Sequence, residues 1–119
     1  IHGGTPMPAT NTPSITLDDY VTQTQIENIK LIKIDTDGHE HLVLAGAAET
    51  IRKQRPVVIF EAGLYLTEVE GRSFTDSLRF FHGAGYRIFE TKHEKEVTDQ
   101  NYPYIVPAYS TVDLIAVPK

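Results

Sequence analysis

Lys30-Leu31-Ile32-Lys33-Ile34-Asp35-Thr36-Asp37-Gly38-His39-Glu40 is the stretch whose reading decides the fold of this chain. The apolar run Leu31 to Ile34 is bounded tightly by Lys30 and Asp35, which marks a short buried strand. It ends in two carboxylates and a glycine, and His39 and His41 then flank Glu40. In open α/β folds ligands bind just beyond the carboxyl ends of parallel strands. A strand that delivers Asp35 and Asp37 to that edge is therefore a candidate active-site strand.

Downstream, the hydrophobic period changes. Leu44, Ala47, Ala48 and Ile51 recur at i, i+3, i+4 and i+7, which predicts one helix from His39 to Gln54. Pro56 stops its continuation, and Val57 to Phe60 is a second apolar run rich in β-branched residues, terminated by Glu61. Strand, helix and strand within this length form a βαβ unit with a parallel pair. Asp35 and Glu61 should then end adjacent strands. Lys33 shares a face with Asp35, and a lysine within a buried strand needs a partner, so an ion pair with one of these carboxylates is expected.

Upstream, residues 1–14 hold Gly3-Gly4 and several prolines and read as a linker. Thr16 offers a cap, with Asp19 three residues on, for a short helix from Leu17 to Thr24. Gly63 to Arg72 reads as a loop. Ser73 caps a helix with Phe74, Leu78 and Phe81 as its buried stripe, and Gly83-Ala84-Gly85 supplies a left-handed stop. Tyr86 to Thr91 and Val112 to Val117 complete the order β-α-β-α-β-β. No helical pattern separates this last pair, so it should be antiparallel. The connection from Lys92 to Ser110 is long enough to be a lid over the carboxyl edge, with His93, Tyr102, Tyr104 and Tyr109 lining it, or an ordered surface loop pinned by Pro103 and Pro107.

Bulk properties narrow the classes. The 119 residues carry a formal charge of −5, with acids and bases interspersed, and contain no cysteine. No basic patch suggests a nucleic-acid surface, and no apolar run is long enough for a membrane helix. Without cysteine there are no disulfides or thiolate metal sites, which fits a reducing, cytoplasmic setting.

Several segments together carry a family resemblance. TLDDY, KLIKIDTDGHEHLVLAGA, RPVVIFEA and a closing DLIAVP resemble the C-terminal half of the FkbM-type S-adenosylmethionine-dependent methyltransferases, over roughly Ile15 to Pro118. That family shows an aspartate strand end followed by Val-Glu-Gly and a later glutamate. Here Asp35-Thr36-Asp37-Gly38-His39-Glu40 keeps the spacing, with Asp37 in place of the glutamate. The resemblance implies an α/β chain that is the C-terminal half of a class I (Rossmann-like) methyltransferase fold. Its parallel strands would be joined by a final antiparallel strand inserted beside the fifth. It further implies residues 15–119 as a partial domain lacking the strands that bind S-adenosyl-L-methionine, because Gly3-Gly4 is not the glycine-rich turn such a cofactor needs. The activity implied is O-methyl transfer to a small-molecule or saccharide hydroxyl, with this chain on the substrate side. Asp35, Asp37 and His39 would orient the hydroxyl or take its proton. Glu40, Glu61, His93, Tyr102 and Tyr104 would contact the acceptor.

Other readings stand beside it. Asp35-Thr36-Asp37-Gly38 also resembles the first strand end of haloacid-dehalogenase-like phosphatases, with Asp35 and Asp37 as nucleophile and acid-base around magnesium. Later strands of that fold should end in a hydroxyl and in paired aspartates, which VVIFEA does not provide. A weak magnesium or manganese site at this strand end is a further reading, but a closed zinc site lacks its ligands. The chain could also be a non-catalytic interaction module. Without its missing neighbour, the strand Leu31 to Ile34 would be an open edge that pairs with a second copy.

Overall fold

The computed structural model describes residues 14–36, 39–64 and 74–119. The expected linker over 1–13, Ser73 as a helix cap, Asp37, and most of the Gly63–Arg72 loop lie outside the described residues.

Helix α1 spans Leu17–Thr24 and starts where the sequence places its cap: Thr16 Oγ1 accepts from the Asp19 amide at 3.1 Å. Strand β1 is Leu31–Ile34. Where one helix was expected from His39 to Gln54 there are two, α2 at Glu40–Ala45 and α3 at Ala48–Gln54. The break has a long-range cause. The Asp18 amide donates to the Gly46 carbonyl at 2.8 Å, and a Cβ on Gly46 would stand 3.0 Å from the Thr16 side chain. The start of α1 thus packs into the gap. The Asp18 carboxylate then caps α3, accepting from the amides of Glu49 at 3.1 Å and Thr50 at 2.9 Å and from Thr50 Oγ1 at 2.7 Å.

Strand β2 is Val57–Ala62, two residues longer than expected, so that Glu61 lies within it. Helix α4 runs Phe74–Gly83 and buries Phe74, Leu78 and Phe81, the expected stripe. Gly85 at φ +79° turns the chain into β3, Tyr86–Glu90. The segment expected as a loop carries two short elements, β4 at Lys95–Glu96 and α5 at Tyr102–Ile105. Fully buried Val97 and Val106 pin it to the core. Strand β5, Val112–Pro118, completes the chain.

Among the described residues the sheet has five strands in the order β1-β2-β5-β3-β4. β1 and β2 are parallel, and β5 is antiparallel to both β2 and β3. β3 therefore runs the same way as β1 and β2. This is a mixed α/β sheet with the final long strand inserted antiparallel, as expected. β4 adds a short antiparallel strand outside β3.

One face of the sheet holds the core. Ile34, Val58, Phe60, Leu114, Ala116, Tyr86 and Ile88 are buried there with Leu44, Ile51, Leu78 and Phe81 from the helices. Phe60 stacks on Phe81 at 5.3 Å. At the amino edge, the Tyr86 hydroxyl donates to the Pro56 carbonyl at 2.6 Å, and the Arg55 guanidinium lies 4.9 Å from the Tyr86 ring. The other face carries half-buried Val57, Ile59, Ile115 and Val117 together with Lys33, which is exposed. The expected Lys33 ion pair is not made among the described residues. The physical reason is that β1 is the edge strand there, so the ammonium is solvated and needs no partner.

Candidate functional site at the carboxyl edge

Parallel β1, β2 and β3 all leave the sheet at one edge, and antiparallel β5 begins there. Ile34 pairs with Phe60, so Asp35 is level with Glu61, and Glu61 pairs directly with Asp113. Residues in register across a sheet share a face. Strand spacing of about 4.8 Å then puts Asp35 and Asp113 about 10 Å apart with Glu61 between them. Asp35 and Asp113 are exposed and Glu61 is half-buried. Lys33 is the basic residue of this face on β1, one turn of the pleat behind the row.

Beyond Asp35 the chain is held tightly. Glu40, in the first turn of α2, is only 6 % exposed. Its Oε2 accepts from the Thr36 amide at 3.1 Å and from Thr36 Oγ1 at 2.6 Å. A carboxylate at a helix start is favoured by the helix dipole, and here it clamps the residue that follows Asp35. Glu40, expected among the acceptor contacts, thus has this Oε2 committed to the strand exit. The His39 ring places Nδ1 3.0 Å from the Thr36 carbonyl. A carbonyl only accepts, so Nδ1 carries a proton in this bond. His41 turns the other way, into a cavity of about 230 Å³ shared with Asp76, Ser77 and Phe80.

The far end of the edge holds a second cluster. Glu90 closes β3 and is 4 % exposed. Its carboxylate accepts from the amides of Lys92 and of His93, the latter at 3.0 Å, and from His93 Nδ1 at 2.9 Å. Burial pushes the Glu90 carboxyl up, but the hydrogen bonds from His93 and from the two amides outweigh it and hold the group below its ordinary value. A cavity of about 550 Å³ opens here, lined by His93, Lys92, Lys95, Tyr104, Thr111 and Asp113 among others. Tyr104 is 88 % exposed. Tyr102 is placed differently: its ring lies 5.6 Å from that of Phe74 and packs against the core cluster.

The expected site residues therefore fall into two groups. Asp35 and Glu61 come together on one face, with His39 and Glu40 at the turn beside them. His93 and Tyr104 meet three strands away. Sequence reading missed Glu90 and Asp113. The signal for Glu90 was present, since each apolar run running toward this edge ends in an acid. Among the described residues no group of three or more His, Cys, Asp or Glu side chains is arranged to hold a metal ion. No helix among them is long and apolar enough to cross a membrane.

A cofactor cradle of the adenosyl type needs several glycines in one turn between strand and helix. The described glycines are scattered instead. Gly46 is packed on Thr16, Gly85 lies beside Arg55, and Gly83 precedes it at the amino edge; Gly63 follows β2 alone. The described residues do not fit the adenosyl cofactor.

No curated protein and no solved structure matches the chain. The Methyltransferase FkbM domain matches residues 2–88, which includes α1, β1, the Asp35 turn, β2 and α4 and stops within β3. The Asp35 strand end lies within that match, and the chain belongs to the FkbM methyltransferase domain family.

Proposed function

We propose that this chain is the acceptor side of an S-adenosylmethionine-dependent O-methyltransferase. The observation that carries the reading is the row Asp35, Glu61 and Asp113, three carboxylates on one face at the carboxyl edge of the sheet, the first two within the family match. An acceptor hydroxyl needs to be oriented and to lose a proton. Asp35 would accept the hydroxyl's hydrogen bond, and Glu61 and Asp113 would take neighbouring hydroxyls. Carboxylates of this kind suit a saccharide, whose hydroxyls are donors in a row. His39, pinned through Nδ1, is the second group able to take a proton.

The fold implied is the C-terminal half of a class I, Rossmann-like domain. The strand order, with an antiparallel strand inserted beside β2, supports it. Contacts to the methyl donor would come from residues outside those described, and a reducing, cytoplasmic setting is consistent with the cysteine-free composition. Calorimetry tests the division of labour. Titration with S-adenosylmethionine should give heat with the complete gene product and none with the 119-residue chain. Tight binding by the 119-residue chain would overturn it.

A further inference from the structure

The geometry points to a separate anion-binding subsite at the far end of the carboxyl edge, where His93, Lys92 and Lys95 receive a carboxylate or phosphate carried by a sugar-sized ligand. Every residue lining this cavity lies beyond residue 88, outside the part of the chain that the family match covers.

Three observations carry the inference. First, the cavity of about 550 Å³ is within the range that holds a small organic ligand. Second, the buried Glu90 carboxylate is spent on its own turn. It accepts from two amides and from His93 Nδ1, so its oxygens are engaged within the turn and not by the ammonium groups of Lys92 or Lys95. The same bond orients the His93 ring and leaves Nε2, which donates to an anion when the ring carries both protons. Third, Lys92 and Lys95 stand on either side of His93 in a chain of net charge −5. Lys92, Lys95 and His93 bear no other ion pair among the described residues than that of His93 with Glu90. Two acids also belong to the lining: Glu90, which is engaged by its own turn, and Asp113, which shares a face with Glu61. Thr111 and Tyr104 add hydroxyls, and the exposed Tyr104 ring offers a flat apolar surface for a sugar.

Thr91 is level with Asp113, since its amide donates to the Asp113 carbonyl at 3.1 Å. Three strand spacings, about 14 Å, separate it from Asp35. A ligand seated at both ends would be larger than one sugar ring, with its anionic group at His93 and a hydroxyl at Asp35. That this ligand is the methyl acceptor rests on the methyltransferase reading. The binding itself does not.

The test is amide-resolved NMR titration of the 119-residue chain with glucuronate, glucose 6-phosphate, glucose and inorganic phosphate. Both anionic sugars should shift the amides of Lys92, His93, Tyr104 and Thr111. Each should bind at least about tenfold more tightly than glucose, because charge-assisted hydrogen bonds are the strong ones. Inorganic phosphate should shift the same amides more weakly. Replacing exposed His93→Gln or, on β4, exposed Lys95→Gln should weaken both anionic sugars several-fold while leaving amides of the core unshifted. Glucose binding as tightly as glucuronate would overturn the anion assignment. Phosphate binding as tightly as glucose 6-phosphate would overturn the sugar assignment. Wild-type affinity in both variants would overturn the site. None of these readouts involves methyl transfer, so failure here is distinct from failure of the proposed function.

Discussion

Glu61 on β2 stands directly opposite Asp113 on β5, in register on the same face of the sheet. Like charges so placed oppose folding, by roughly 0.2–1 kcal/mol, and among the described residues neither carboxylate has an ion-pair partner. A pair that opposes folding suits a ligand-binding role better than a structural one. Asp113→Asn should therefore raise the urea midpoint of the chain slightly. A fall in the midpoint would make the pair structural and remove it from the acceptor site.

Asp18 ties α1 to the start of α3 through three hydrogen bonds. Asp18→Ala should cost about 1–2 kcal/mol in chemical denaturation, as for lost helix caps. Burial works to raise this carboxyl, but the bonds from Thr50 and Glu49 and the charge of Arg52 win and lower it from 3.8. A depressed folded-state value means the stabilisation is in place above the unfolded value and is lost as pH falls below about 4. The wild-type protein should lose stability more steeply than the variant over that range. Parallel pH profiles would contradict the assignment.

Tyr86 is fully buried and its hydroxyl meets the Pro56 carbonyl. Tyr86→Phe removes the donor and leaves that carbonyl without it, at a cost of about 1–2 kcal/mol. Burial raises the Tyr86 phenol above its ordinary value despite the charge of Arg55 nearby. Its ultraviolet titration should lag that of the exposed tyrosines in alkali. Simultaneous titration would mean the ring is accessible.

Leu31 is 56 % exposed on β1, the edge strand of the described sheet. Such an edge offers unpaired backbone groups to a second copy. Light scattering on the 119-residue chain should show concentration-dependent association that Leu31→Lys reduces. A monomer at every concentration would contradict pairing through this edge.

What the sequence made legible follows from how local each feature is. The βαβ unit, the α4 stripe and the Gly85 turn rest on patterns within a few residues, and all three are in the fold. The break at Gly46 was invisible, because Leu44, Ala47, Ala48 and Ile51 stay in helical phase across it while the cause is a bond from the distant Asp18 amide. Asp113 was missed because β5 runs backwards, so its first acid, and not its last, reaches the carboxyl edge. The β3–β4 turn was missed because it lacks a glycine; Glu94 itself takes the left-handed conformation at φ 55°. His93 and Tyr104 were read from their aromatic and titratable chemistry, whereas the bond from His93 to Glu90 that fixes the ring exists only once the turn closes.

The most direct measurement is the rate of methyl transfer from S-adenosylmethionine to a saccharide hydroxyl by the complete gene product, comparing wild type with Asp35→Asn. If Asp35 positions the hydroxyl and receives its hydrogen bond at the carboxyl edge, kcat should fall about 100-fold or more, with the affinity for the methyl donor unchanged. An unaltered kcat in Asp35→Asn would contradict the assignment of this edge as the acceptor site.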